Sequence, residues 1–229
     1  MASPTVFSLV SIHCQAVLFD MDGILVSSIG SVERTWRKWA MMRGVDPART
    51  LELAHGRRAI ELLAAMRPDL DSEAELKIVE EIEIGDNEDL RVLPGVLELL
   101  RVLPRERWTV VTSATERLAQ ARLEFGGVPV PERLVTADHV TRGKPHPEPF
   151  LAGASLLGFA PRQCVVFEDS ASGAQAGREA GCTVIATTFS QPLERLQAAH
   201  YLLEDLTAVT AQAGPEGLTL SLTPLLRGD

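Results

Sequence analysis

The first clearly patterned run is residues 16–19, Ala-Val-Leu-Phe, four apolar residues with no polar neighbour to mark a wet side. Such a run predicts a short strand buried on both faces. Helical spacing begins at Ser31, where Val32, Trp36, Trp39 and Ala40 share a stripe, with Ser31 as N-cap and Gly44 as the stop. Residues 59–66 predict a second helix, apolar through Ile60, Leu62, Leu63 and Met66 and ended by Pro68. Residues 72–84 predict a third, in which Ser72 followed by Glu75 fits a capping box. Its glutamates Glu73, Glu75, Glu80, Glu81 and Glu83 read as a solvated face.

After Pro94-Gly95 helix and strand alternate. Helices are predicted at residues 96–103, 114–125, 149–157 and 171–180, and strands at 109–111, 134–135, 164–167 and 183–186. Residues 193–198 predict a further helix and 218–222 an edge strand, while residues 1–13 show no clear period beyond a possible short edge segment. Repeated strand–helix units of this length predict an α/β fold, a doubly wound, Rossmann-like parallel sheet with helices on both faces. The all-helical stretch predicts an inserted domain at residues 28–91, leaving the core to residues 14–27 and 92–229.

Composition narrows the function. At 229 residues the chain can bury a large core, and 22 basic against 31 acidic residues give a net charge of −9. That balance argues against nucleic acid and against an anionic membrane surface as partners, and suits a cation or a small metabolite. No apolar run approaches the roughly 18 residues of a membrane span, and the start of the chain lacks the basic flank of a secretory signal. A soluble, cytoplasmic protein, expected as a monomer, follows. Cys14, Cys164 and Cys182 sit beside apolar runs without Cys-x-x-Cys spacing and read as buried reduced thiols.

The chemistry lies where strands stop. Asp20 follows the first strand directly, and a doubly wound sheet opens its ligand crevice at the carboxyl ends of its strands. Asp22 points the same way two residues on, so both acids can share a site and call for a cation, a shared proton or a hydrogen-bond cluster. Alone, Asp-x-Asp-Gly also fits a turn whose acids cap backbone amides. Ser113 and the amide of Ala114 open a predicted helix and suit an anion, although Ser113 with Glu116 equally fits a capping box. The loop from Arg142 to Pro149, with three prolines, presents Lys144 with little entropy left to lose; His146 is either a general acid or a brace of that loop. Glu168 and Asp169 end another strand and, with Asp20 and Asp22, form an oxygen-rich cluster that fits Mg²⁺. Asp169 or Ser170 as a plain N-cap remains open for each residue alone.

Asp20-Met21-Asp22-Gly23, Val111-Thr112-Ser113, Gly143-Lys144-Pro145 and Phe167-Glu168-Asp169-Ser170, in that order and spacing, resemble the four motifs of the haloacid dehalogenase superfamily. The helical insertion resembles the small cap of its sugar-phosphatase branch. His55-Gly56-Arg57-Arg58, together with residues 143–150, resembles the glycerol-phosphate and sugar-phosphate phosphatases of that branch. The resemblance implies Asp20 as nucleophile and Asp22 as general acid and base. It implies Mg²⁺ held by Asp20, the backbone carbonyl of Asp22, and Asp169, with Glu168 in or just behind that set. Ser113, the Ala114 amide and Lys144 would hold the phosphoryl oxygens of a small phosphorylated metabolite. Arg57 and Arg58 are candidates to select it, or are solvated or paired with acids such as Glu61. The branch commonly has an acid before a serine after the first motif, where this chain has Val26, Ser27 and Ser28. Residues 31–40 hold no histidine of the kind phosphomutase relatives carry, which ranks hydrolysis above mutase activity, and the retained Asp22 argues against dehalogenation. A noncatalytic binding module on the same scaffold is the remaining alternative.

Overall fold

The computed structural model describes residues 9–54 and 58–225. In chain order the elements are β1 (Val10–Cys14), β2 (Ala16–Phe19), β3 (Val26–Ser27), α1 (Ile29–Arg43), α2 (Pro47–Ala54), α3 (Ala59–Met66), α4 (Ser72–Gly85) and β4 (Arg91–Val92). There follow α5 (Val96–Val102), β5 (Trp108–Val110), α6 (Glu116–Phe125), α7 (Glu148–Leu157), β6 (Cys164–Glu168), α8 (Ala171–Glu179), β7 (Thr183–Thr187), β8 (Tyr201–Leu203), β9 (Val209–Gly214) and β10 (Gly217–Leu222).

Five strands form the central sheet in the order β5-β2-β6-β7-β8, each pairing parallel. β2 is buried on both faces, as its apolar run requires. Ala16 and Leu18 pack into one core with Val111, Phe150, Val166 and Val184, while Val17 and Phe19 face the other with Leu99, Val110, Leu123 and Phe167. This period-two division is how one strand seats helices above and below the sheet. Phe19 stacks on Phe167 at 5.2 Å between ring centroids. The register fixes the site: Phe19 pairs with both Val110 and Phe167, so Asp20, Val111 and Glu168 leave the same edge side by side.

Between β2 and β5 the chain departs and returns. β3 and β4 pair antiparallel, Val26 with Val92 and Ser27 with Arg91, so the outgoing and incoming strands run as one two-stranded ribbon. Beyond it α1 to α4 close over a core of their own, built on Trp36, Trp39, Ala40, Leu62, Leu63 and Val79. Among the described residues no helix is long and apolar enough to cross a membrane.

Several elements differ from the sequence reading, each for a local reason. α1 starts at Ile29, three residues before the expected first helical residue, and its N-cap position is Ser28 rather than Ser31, which is buried inside it; Gly44 ends it in the left-handed conformation, as expected. α4 is capped by Asp71, whose carboxylate accepts from the amides of Glu73 and Ala74, not by Ser72. α2 was not anticipated, since residues 47–54 carry too little apolar periodicity. The helix expected at 193–198 is only a 3-10 turn, Leu193–Arg195. Strands β8 and β9 were missed, and residues 134–135 make only a bridge, Val111 to Val135. β1 answers the open question at the amino end: it is an edge strand paired antiparallel with β10, whose other neighbour is β9. Cys14, Cys164 and Cys182 are free and buried, as expected, with burial pushing the Cys164 thiol up to about 11.

The glutamate face of α4 is not solvated throughout. Glu75 is buried, accepting from Trp39 Nε1 at 2.7 Å and from Arg43 Nε at 2.8 Å. Glu83 is buried too, and Glu80 accepts from Thr115 Oγ1 and, at 2.8 Å, from Arg117 Nη1. An acidic run on a helix is a docking face when basic residues on a neighbouring helix meet it, and here α6 supplies Arg117 and Arg122.

Candidate active site

Lys144 brings the separate segments together. Its ammonium donates to Asp20 Oδ1 and to Glu168 Oε1, both at 2.6 Å, and to the Val111 carbonyl at 3.2 Å. It is buried, delivered by the proline-studded loop in which the Lys144–Pro145 peptide is cis. Glu148 steadies that loop by accepting from the amides of Thr141 and Arg142. His146 Nδ1 accepts from the Glu148 amide, so His146 braces the loop. The Lys144 ammonium also lies 5.0 Å from the centroid of the Phe150 ring.

Burial alone would favour a neutral lysine, but Asp20 and Glu168 more than offset it and hold Lys144 above the usual ammonium range. Asp20 is pushed above the usual carboxylate range, chiefly by burial and further by Glu168, with Lys144 pulling it down. Asp169 is raised well above that range by burial and by Glu168 and Asp20. Three carboxylates around one ammonium therefore leave excess negative charge in a buried site, which a cation relieves.

Two glycines make this crowding possible. A Cβ on Gly23, whose φ is +83°, would stand 1.7 Å from Asp169 Oδ2, and one on Gly173 would stand 1.6 Å from Glu168 Oε1. Gly173 lies in α8, whose N-cap is Ser170; the Ser170 hydroxyl accepts from the Gly173 amide and donates to Glu168 Oε2. Glu168 Oε2 also accepts from the amides of Asp169 and Ser170. So Ser170 caps and Asp169 does not.

Asp22 turns away from this cluster. Its Oδ1 accepts from Ser28 Oγ at 2.6 Å and its Oδ2 from Arg122 Nη1 at 2.8 Å. Ser113 and Ala114 line the same cavity, of about 470 Å³, which reaches from the acids to Trp36 and Leu76. They sit on the bend before α6, not in its first turn, because the cap is Thr115, whose hydroxyl accepts from the Leu118 amide. The Ala114 amide donates to Thr112 Oγ1 at 3.1 Å.

Residues 14–181 match the family model of the haloacid dehalogenase-like hydrolases. The chain belongs to that family. Among its relatives, hexitol phosphatase A of Escherichia coli (strain K12) is 40% identical over 210 residues, covering 90% of this chain and 97% of that one. Glycerol-1-phosphate phosphohydrolase 2 of Saccharomyces cerevisiae is 36% identical over 193 residues, covering 78% of this chain and 77% of its own. The crystal structure of CbbY from Rhodobacter sphaeroides in complex with phosphate superposes with a TM-score of 0.72 over 84% of this chain and 95% of that one, at 24% identity, and shows the shared fold.

The hydrolase can hold a metal ion in its acidic cluster. Asp20, Glu168 and Asp169 each offer a carboxylate oxygen, all within 4.8 Å of one another. Glu168 has both oxygens engaged, by Lys144 on one side and by three donors on the other, so it stands as a support for the set. Asp20 keeps its second oxygen, and Asp169 adds another carboxylate. A few hard oxygen donors under excess negative charge suit a small dication.

Of the two arginines expected to select substrate, Arg57 lies outside the described residues, as do His55 and Gly56. Arg58 lines the cavity with two of its three nitrogens engaged, Nε with Glu61 at 2.8 Å and Nη1 with the Val140 carbonyl at 2.7 Å. It ties the start of α3 to the loop before Lys144. Arg122 escaped the sequence reading, though a signal was there. It falls on the inward stripe of α6 with Leu118, Ala119 and Leu123, where a charged residue is out of place unless paired.

Proposed function

We propose that this hydrolase is a Mg²⁺-dependent phosphatase that cleaves a small sugar or polyol phosphate through an aspartyl-phosphate on Asp20. The observation that carries the reading is the junction of Lys144 with Asp20 and Glu168, beside Asp169, at one sheet edge. It is supported by the hexitol and glycerol-1-phosphate activities named for the two relatives.

Mg²⁺ would be held by Asp20, Asp169 and the backbone carbonyl of Asp22, with Glu168 behind them. When bound it offsets charge on the phosphoryl oxygens and on Asp20. One carboxylate oxygen of Asp20 attacks phosphorus, the other being left to the metal, and the bond to the alcohol oxygen breaks. Asp22 gives that oxygen its proton. Water then attacks the phosphorus of the aspartyl-phosphate, Asp22 takes the water's proton, and inorganic phosphate leaves with Asp20 restored. Lys144, Ser113 and the Ala114 amide, once released from Thr112, hold the phosphoryl oxygens. On this reading residues 28–91 form a cap over a core of residues 14–27 and 92–229, to which β1 adds residues 10–13. Arg58 belongs to the cap side of the substrate cavity.

Phosphate release from glycerol phosphate, a hexitol phosphate and hexose phosphates tests this reading. The expected result is turnover with Mg²⁺, lowered at least about a hundredfold by a chelator. No turnover of any phosphate ester in the presence of Mg²⁺ would leave the scaffold reading in its place.

A further inference from the structure

Each oxygen of Asp22 accepts one side-chain hydrogen bond, so its placement is set by those two donors. One oxygen is tied by Ser28, at the start of the helical insertion, and the other by Arg122 of α6. Arg122 is itself shared. Its side chain is 4% exposed, and its Nη2 lies 3.3 Å from Glu83 Oε1 on α4. Only Nη1 makes a full hydrogen bond; Nε and Nη2 are buried and find none. A buried guanidinium with two unspent donors is costly, and such groups persist where the arrangement has a use. The two acids that share it come from different bodies, Asp22 from the loop after β2 and Glu83 from the insertion. Because one guanidinium carries both contacts, a shift of α4 against α6 that moves Glu83 would move Arg122 and with it Asp22.

The geometry points to Arg122 as a positioning residue: shared between Asp22 and Glu83, it makes the placement of the general acid depend on how α4 sits against α6. This rests on the phosphatase reading and adds to it a residue and a mechanism of control. Arg122 does not touch the reacting atoms. It acts through Asp22, and Glu83 acts through Arg122.

Leaving-group dependence separates positioning from mere structure. An alkoxide needs a proton in order to leave, whereas para-nitrophenolate leaves without one, and kcat/KM reports the steps through that departure for both esters. Arg122→Met and Arg122→Lys are expected to lower kcat/KM for mannitol phosphate about ten- to a hundredfold while changing that for para-nitrophenyl phosphate less than about threefold. Arg122→Lys keeps the buried charge and guards against simple loss of the fold. Glu83→Gln leaves Arg122 to Asp22 alone, so it is expected to shift the ratio in the same direction, and to have no further effect in the Arg122→Met background. Equal losses for the two esters in both Arg122 variants, or an undiminished Glu83→Gln effect without Arg122, would overturn the inference. Wild-type protein that hydrolyses neither ester would defeat the phosphatase reading itself, a distinct result.

Discussion

Asp20→Asn is expected to abolish turnover of every phosphate ester, by at least about 10⁴-fold, with the fold intact. Asparagine keeps the shape and can still accept from Lys144, but an amide oxygen is a poor nucleophile and cannot carry the phosphoryl group. The substitution also removes one negative charge from a buried set in which burial and Glu168 already push Asp20 up. Its melting temperature should therefore equal or exceed that of the wild type. Loss of activity together with unchanged or raised stability, measured by steady-state assay and thermal melting, identifies Asp20 as a group kept for chemistry at a cost in stability. Appreciable residual turnover would move the nucleophile elsewhere.

Lys144→Met should act in the opposite sense on stability. Two buried carboxylates, Asp20 and Glu168, lose the ammonium that each meets at 2.6 Å. Stranding buried charge in this way costs about 3–5 kcal/mol, which for a chain of this size lowers the melting temperature by on the order of 10 °C. The pH dependence follows from the raised Asp20. A carboxyl raised in the folded state binds protons there that the unfolded chain does not hold, so folding gains as pH falls from the raised value toward the ordinary carboxylate range. Lys144 pulls Asp20 down, so without it Asp20 is raised further, the variant gains more than the wild type as pH falls, and the stability deficit of Lys144→Met should narrow. A deficit that stays constant with pH would mean that lost packing against Phe150, and not stranded charge, sets it. Activity should be lost as well, because Lys144 is the cation that fixes Asp20.

The parts of the site carried by strand ends were legible because sheet register leaves little freedom. Once residues 16–19 and 164–167 are parallel neighbours, Asp20 and Glu168 must meet, and a constrained loop carrying one lysine has few other places to deliver it. What the sequence hid were partnerships between side chains far apart in the chain. The glutamates of α4 repeat as a solvated face would, and nothing local says that Arg117 and Arg122 stand opposite. The partners of Asp22 were hidden for the same reason, since they lie 6 and 100 residues away. Strand β9 and helix α2 were missed because their exposed residues blur the apolar period that marks an element. Caps slipped by one to three residues where several small polar residues adjoin, as with Asp71 and Ser72, Ser113 and Thr115, or Ser28 and Ser31.

The central claim is that the carboxylate fixed by Lys144 receives the phosphoryl group. It is tested most directly by mixing enzyme, Mg²⁺ and a hexitol phosphate, quenching in acid within one turnover, reducing the trapped acyl phosphate with borohydride, and reading the peptides by mass spectrometry. Conversion of Asp20, and no other residue, to homoserine, only when Mg²⁺ is present, is the predicted result. Turnover with no modified aspartate, or with the label on a different side chain, would contradict it.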